Sequence, residues 1–567
     1  MGAKINYTTI FSFISVSVCL SALGLITWGA FYFSNRGYEL SDETYYLYFS
    51  NNFDPDIYLT SAFGVLNKFF CFGHPTLINL RIAKFIYQTL AVIIFGYSLL
   101  RYLKFKDIKI GTTQKFLCLS ILLLASYINY DYLPMTLSYN SWSLILALLG
   151  MAVVFYEKTK NQPRDLFICS FLFGATSFAL FLAKFPNAVI LFLVYIISNF
   201  PNSKQEFFIK AIGLLSGAVV AFIILLHSYA NLKGIINNYW ITLFGVEHAP
   251  VHPYTDQVKS FIVMCWQKNY LLFEGAIILL AVLFKRINSS FKTLFFYMII
   301  AINCLALFFF RKGNGAELSN DFVAGSLILI NFGLYVYFFG SQQKNKDLIL
   351  WSCLMLLPFG LMLGTNNEFY YTSSQLMIFA FGGMLLHLLA TKSDQLFLSL
   401  NGLFMSVFIC IVLYNGAVKA PYRQNDLANK TYPLLFSEEI KGVMESRERM
   451  IDYTVLNEAL KQLNTSDKKV IEFFSHFGIH YLNGCKIFPE PQITDNENLM
   501  YINDYLFTRY GQPNDCDLLV MSVKVSESSA FQDMFSRNGI RLNDNFKKVF
   551  SYKFLSTGEE TLIYKRI

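Results

Sequence analysis

Two adjacent carboxylates, Asp42 and Glu43, stand in the stretch Ser34-Asn35-Arg36-Gly37-Tyr38-Glu39-Leu40-Ser41-Asp42-Glu43-Thr44-Tyr45-Tyr46. A placed carboxylate can take the proton of an attacking hydroxyl, and either member of the pair is a candidate base. Lys184 closes an apolar run in Phe181-Leu182-Ala183-Lys184-Phe185-Pro186-Asn187, and a cation there suits an anionic leaving group. Together these types define transfer off a phosphate. One base activates the acceptor, one cation steadies the phosphate, and no second acid is needed because a phosphate leaves unprotonated. The plainer reading of Asp42-Glu43 is a helix start opened by Ser41, where early acids complement the helix dipole. For Lys184 it is a helix-end lysine reaching for the interface.

The elements that must position these residues are membrane spans. Residues 8–33 carry no charge and exceed the roughly 20 residues a spanning helix needs. They show neither the short core nor the cleavage site of a secretory signal. With 54% hydrophobic and 15% charged residues and a mean hydropathy of +0.42, the chain is predicted to be polytopic. Further apolar runs fall at 82–100, 115–129, 141–156, 166–183, 186–200, 207–229, 270–284, 292–310, 321–340, 348–364, 370–390 and 397–416. That predicts an all-α membrane region of about thirteen spans over residues 1–420.

The net charge of +8 does not indicate nucleic acid, because the basic residues gather in short loops between apolar runs. Arg101, Lys104, Lys106, Lys109 and Lys115, then Lys158, Lys160 and Arg164, then Lys204 and Lys210 mark alternate loops, as do Lys285, Arg286, Lys292, Lys344 and Lys346. The positive-inside rule makes that side cytoplasmic, which puts the N-terminus inside and the C-terminal region outside. The opposite loops hold residues 34–81, the turn from Asp131 to Asn140, Lys184, a long loop at 230–269, Arg311-Lys312, and the stretch with Asn366 and Glu368. The working face is therefore predicted to be extracytoplasmic.

Residues 421–567 return to soluble composition and predict a small extracytoplasmic α/β domain. Helices are expected over 437–463 and 527–538, and strands over Lys469–Phe474, Asp517–Val523, Lys547–Phe554 and Thr561–Tyr564. Most of the ten cysteines lie in apolar runs; Cys71, Cys485 and Cys516 are expected to face water. No zinc spacing is present. Glu247, His248 and His252 sit among Pro250 and Pro253, which disfavour a shared helix face. His476 and His480 have i, i+4 spacing, are expected to lack an acid partner and read as structural. No cofactor is called for, and a divalent metal at the adjacent acids is the one candidate.

An extracytoplasmic site has no nucleotide-activated sugar, so a transferase there needs a lipid-borne donor. The acidic pair after the first span, the Phe181–Asn187 run, the Pro-x-Thr-x-Ser-Tyr-Asn stretch at 134–140 and Gly364-Thr365-Asn366-Asn367 resemble the GT-C glycosyltransferases. The layout is most similar to the lipid A aminoarabinose transferase and protein O-mannosyltransferase groups. Where the former carries Glu-Lys-Pro, this chain has Phe72-Gly73-His74-Pro75, followed by Arg81 and Lys84. A Tyr-Leu-Leu-Pro segment is replaced by Arg311-Lys312-Gly313-Asn314-Gly315.

The resemblance implies a glycosyltransferase of a bacterial cytoplasmic membrane. It would move a sugar from a polyprenyl-phosphate donor to a surface glycan, lipopolysaccharide, lipid or protein. Asp42 and Glu43 are then the catalytic candidates. Lys184, Arg81, Arg311 and Lys312 are candidate donor-phosphate ligands, and Tyr45, Tyr46, His74, Asp131, Tyr139, Asn140, Asn366 and Glu368 are candidate cavity residues. A transporter or flippase of lipid-linked glycans would instead place ionisable residues at helix centres, often in repeats, and this sequence shows no repeat. A polymerase or ligase would use a larger, Arg- or His-rich external loop than 230–269.

Overall fold

The computed structural model describes residues 7–40, 42–52, 61–130, 134–226, 259, 348–361, 376–390, 395–419, 424, 426–465, 468–473, 478–487, 503–504, 507 and 515–567. Asp131, Arg311, Lys312, Asn366, Glu368, Ser41, His476, the runs at 270–284, 292–310 and 321–340, and the 230–269 loop apart from Lys259 lie outside them.

The fold is an all-α membrane region followed by a smaller α/β region. In chain order the membrane region contains α1 Tyr7–Phe33, α2 Asp42–Asn51, α3 Phe63–Phe70, α4 Leu77–Phe105, α5 Thr112–Tyr127, α6 Tyr139–Glu157, α7 Pro163–Ala183, α8 Phe185–Ser198, α9 Lys204–Leu226, α10 Leu348–Gly360, α11 Ile378–Ala390 and α12 Gln395–Leu413. Among the described residues six helices are long and apolar enough to cross a membrane, and three shorter ones are similarly apolar. Large apolar side chains face outward, among them Phe13, Tyr97, Phe208 and Leu215. Such exposure is untenable in water at this scale and ordinary against lipid. The chain is a multi-pass membrane protein.

Lipid removes the hydrophobic drive between helices, so close backbone approach and small polar contacts must hold them. The first and last described spans show this. Ser12 shares a hydrogen bond of 3.0 Å with Ser399, Ser406 meets Cys19, and Gly402 lies against Ser15 and Cys19. Helices α7 and α9 meet through Gly174, Gly213 and Gly217. A side chain at Gly217 would strike the Phe171 carbonyl, and one at Gly174 the Leu214 carbonyl. At one end of α6–α9, Lys210 pairs with Glu157 at 2.8 Å and Glu206 at 2.7 Å, while Tyr195 donates to Glu157 at 2.7 Å. Lys184 marks the opposite end of α7.

In the C-terminal region, β1 Tyr432–Pro433 and β2 Met444–Glu445 pair antiparallel. Helix α13 spans Arg447–Gln462 and α14 spans His480–Asn483. Strands β3 Lys469–Glu472, β4 Lys486–Ile487, β5 Leu518–Ser522, β6 Phe546–Lys553 and β7 Glu560–Arg566 form a sheet in the order β4-β3-β5-β7-β6. β3 runs parallel to β4 and β5, whereas β7 is antiparallel to β5 and β6. Helix α15, Ser529–Arg537, buries Phe531, Met534 and Phe535.

Several expectations are corrected. The helix expected over 437–463 begins only at Arg447, where Ser446 accepts from the Arg449 amide. Gly442 has φ +82°, a left-handed position that interrupts a helix, and β2 follows it. The connection between α1 and α4 contains two short helices, α2 and α3. Cys485 and Cys516 are buried in the C-terminal region rather than water-facing. Burial pushes both thiols up, which makes them inert. His480 does have an acid partner, the buried Glu472 at 3.0 Å.

The α7–α9 contact gives the first expected outcome. Gly217→Ile should force these helices apart and abolish the monodisperse peak of detergent-extracted protein in size-exclusion chromatography. Leu215→Ile, on an exposed face, should leave that peak unchanged.

Candidate active site

The acidic loop is built around Arg81, in the first turns of α4. Its helix opens where Thr76 accepts from the Asn79 amide. The guanidinium, 3% exposed, donates from Nε to Glu43 Oε1 at 3.0 Å and from Nη2 to Glu43 Oε2 at 2.5 Å. It also donates to the carbonyls of Ser34 at 3.0 Å, Arg36 at 2.8 Å and Gly37 at 2.7 Å. All five of its N–H groups are thereby used. Arg81 was expected to hold donor phosphate; instead it binds the exit of α1 to the start of α2. Glu43 additionally accepts from Thr136 at 2.5 Å and Gln424 at 3.3 Å.

The two acids therefore occupy different environments. Glu43 is buried and committed to Arg81, whereas Asp42 is half-buried at the first position of α2. There it complements the helix dipole, so the cap reading and the base reading are compatible. A divalent cation at the pair would meet the Arg81 guanidinium on both Glu43 oxygens, and that donor set does not fit a metal. Among the described residues no group of three or more His, Cys, Asp or Glu is placed to hold one.

The loop is clamped from above by the C-terminal region. The Tyr38 amide donates to Glu445 Oε2 at 2.7 Å, and the Tyr38 carbonyl accepts from Arg449 at 3.0 Å and Tyr453 at 3.2 Å. Gly37 donates to the Met444 carbonyl at 2.8 Å, and Gly478 to the Leu40 carbonyl at 3.1 Å. Gly37 has φ +81°, and a Cβ there would strike the Gln424 side chain, so only glycine fits. Lys430 and Glu445 form a fully buried ion pair at 2.8 Å. Lys430 also donates to Gln424 Oε1 at 2.9 Å, which continues the chain of contacts to Glu43.

Lys184 occupies the turn between α7 and α8, outside both spans. Pro186 ends α7 and suits the first turn of α8. The Lys184 side chain is 6% exposed and does not snorkel. Among the described residues its ammonium has no hydrogen bond or counter-charge, and α8 has no side-chain cap. A cation at the positive end of a helix is the wrong sign for the dipole, and burial lowers its pKa to about 7. Asn187, 1% exposed, has neither amide atom hydrogen-bonded among the described residues.

The segment Ser61-Ala62-Phe63 lies between the start of α2 and the end of α7. Phe63 lies 6.0 Å from Tyr45, 5.6 Å from Tyr46 and 6.1 Å from Tyr139 between ring centroids. Beside it, the Ala62 amide donates to the Leu182 carbonyl at 2.7 Å and Ser61 to Ala183 at 2.5 Å. Tyr46 and Asn140 are buried, while Tyr45 and Tyr139 are half-buried. Lys84 is fully buried, donating to the Pro134 carbonyl at 2.9 Å with its ammonium 4.2 Å from the Tyr130 ring centre. His74, expected to line the cavity, is exposed on the α3–α4 turn. Phe72 at φ 57° and Gly73 at φ 113° shape that turn.

A cleft of about 250 Å³ lies between α1, α4 and the end of α12. Trp28, Phe33, Phe85, Tyr127 and Leu413 line it, and Arg81 is the one charged residue on its wall among the described residues. Thr136, Gln424, Glu445 and Asn187 were not foreseen from the sequence. Thr136 lies in the 134–140 stretch already singled out. Gln424 reaches Glu43 across 381 residues of chain and has no local signal.

These features define a multi-pass membrane protein with a buried polar site covered by an α/β region. No protein-family profile matches the chain, and no curated protein matches it in sequence. The chain is similar to the crystal structure of ArnT from Cupriavidus metallidurans in the apo state, with 11% identity over 99% of this chain and 98% of that one, at a TM-score of 0.39. A likeness this loose carries nothing about activity.

Breaking a buried pair leaves an uncompensated charge and destabilises by about 3–5 kcal/mol. Arg81→Met should therefore lower the unfolding temperature of the detergent-solubilised protein markedly. Arg81→Lys should not restore it, because a lysine cannot span both Glu43 oxygens and three carbonyls.

Proposed function

We propose that the protein is an integral-membrane glycosyltransferase of GT-C type. It moves a sugar from a polyprenyl-phosphate donor to a cell-surface glycan, lipid or protein at the outer face of a bacterial cytoplasmic membrane. The observation that carries this reading is Lys184: a buried cation without a counter-charge among the described residues, at an uncapped helix start, next to Leu182 and Ala183, which accept hydrogen bonds from the Ser61-Ala62 segment. A phosphate supplies the missing charge.

In this reading Asp42 accepts the acceptor hydroxyl's proton as that oxygen attacks the anomeric carbon. The bond from the anomeric carbon to the phosphate oxygen breaks, and polyprenyl phosphate leaves against Lys184 and the start of α8. Glu43 and Arg81 hold the start of α2 and so position Asp42. The apolar cleft suits a lipid chain beside the site. Arg311 and Lys312 remain candidate contacts to an anionic substrate. The C-terminal region lies outside the cell membrane, and the N-terminus lies in the cytoplasm.

The test uses membrane vesicles, polyprenyl-phosphate sugars and a surface-glycan extract, with donor loss followed by mass spectrometry. Wild type should consume the donor only when acceptor is present, and Asp42→Asn should consume none. A donor that stays intact but changes leaflet would replace the transferase with a flippase.

Lys184 adds a pH dependence. Below about pH 7 the free lysine is already charged; above it, donor binding must take up a proton. Donor KM should therefore rise as pH increases from 7 to 9, by up to about ten-fold per unit. Lys184→Arg, charged throughout, should flatten the profile, and Lys184→Ala should raise donor KM at every pH.

A further inference from the structure

The start of α8 offers more hydrogen-bonding capacity than a phosphate alone would satisfy, and the role assigned to it below the phosphate rests on the transferase reading. Lys184 and Asn187 occupy the cap and third positions of this helix, whose side chains are neighbours, as capping boxes show. Both are more than nine-tenths buried. The Lys184 ammonium and Asn187 Nδ2 are donors, whereas Asn187 Oδ1 is an acceptor; the Asn187 and Ala188 amides are already spent on the Lys184 carbonyl. Neither Asn187 atom has a partner among the described residues.

A buried amide left unpaired on both atoms is unfavourable. Phosphate diester oxygens only accept, so they would answer Lys184 and Nδ2 and leave Oδ1 unmet. A ligand that completes the site must also present an O–H or N–H hydrogen close to its phosphate. A glycosyl phosphate has one on the carbon next to the anomeric carbon. The phosphate of a bare polyprenyl phosphate has no such neighbour.

We propose that Asn187 is the residue that reads the donor sugar. Its Nδ2 donates to the phosphate, and its Oδ1 accepts from the hydroxyl adjacent to the anomeric carbon. Donors that lack this hydroxyl are then poorly bound even though their phosphate is intact. Asn187 fixes the rotation of the sugar about the phosphate ester and so turns the anomeric carbon toward the acceptor.

The experiment measures binding to full-length protein in nanodiscs. The probes are long-chain polyprenyl phosphate, its glucosyl, mannosyl and arabinosyl esters, and the 2-deoxyglucosyl and 2-deoxyribosyl esters. Wild type should bind its preferred ester about ten-fold more tightly than the deoxy counterpart, in keeping with one buried hydrogen bond. Asn187→Leu, similar in size, should bind the bare phosphate about ten-fold more weakly, for the lost Nδ2 bond, and lose the preference for the hydroxyl. Asn187→Asp should keep the hydroxyl preference and bind every phosphate more weakly. Wild-type preference surviving in Asn187→Leu would overturn the role of Asn187 and leave the transferase standing. A wild type that binds no polyprenyl phosphate would overturn the transferase reading, and this assignment with it.

Discussion

The buried pair between Arg81 and Glu43 is the contact on which the site depends. Charges 3% and 1% exposed are stable only when every donor and lone pair is answered. Arg81 meets that demand by gathering the carbonyls of Ser34, Arg36 and Gly37 together with the Glu43 carboxylate. The chain leaving α1 is thereby folded back onto α4, and α2 must begin where it does. Asp42, next along, is thereby held at the first position of α2.

The C-terminal region extends this constraint. Glu445 accepts the Tyr38 amide, Lys430 pairs with Glu445, and Gln424 joins Lys430 to Glu43. Polar groups that would otherwise be stranded in the loop are answered from above and below. The C-terminal region is therefore part of the site's scaffold. The start of α8 is the opposite case: Lys184 is buried with no counter-charge, and both Asn187 amide atoms are buried with no partner, among the described residues. Interiors tolerate such groups where a ligand completes them.

The spans were legible because lipid demands long apolar runs; α1, α4, α6, α7, α9 and α12 fall close to where hydropathy puts them. The strands at 469–472, 518–522, 546–553 and 560–566 were legible by composition. The start of α13 was misread because Gly442 interrupts a pattern whose charges and spacing look helical. Asp42-Glu43 and Lys184 were visible as charges out of place beside apolar runs. Their division of labour was not, since Glu43 acquires its partners from residues 38, 93 and 381 positions away. Asn187 was invisible for a related reason: an orphaned amide is defined by what fails to approach it. Arg81 and His74 were assigned by local resemblance, and non-local packing gave them other places.

The central claim is that the adjacent acids do different work. Thermal unfolding of Glu43→Gln and Asp42→Asn, side by side in nanodiscs, tests it most directly. Unequal roles predict a larger drop in unfolding temperature for Glu43→Gln, which strips the charge from the buried pair, than for Asp42→Asn at the half-buried start of α2. Equal losses, or a stable Glu43→Gln beside an unstable Asp42→Asn, would contradict it.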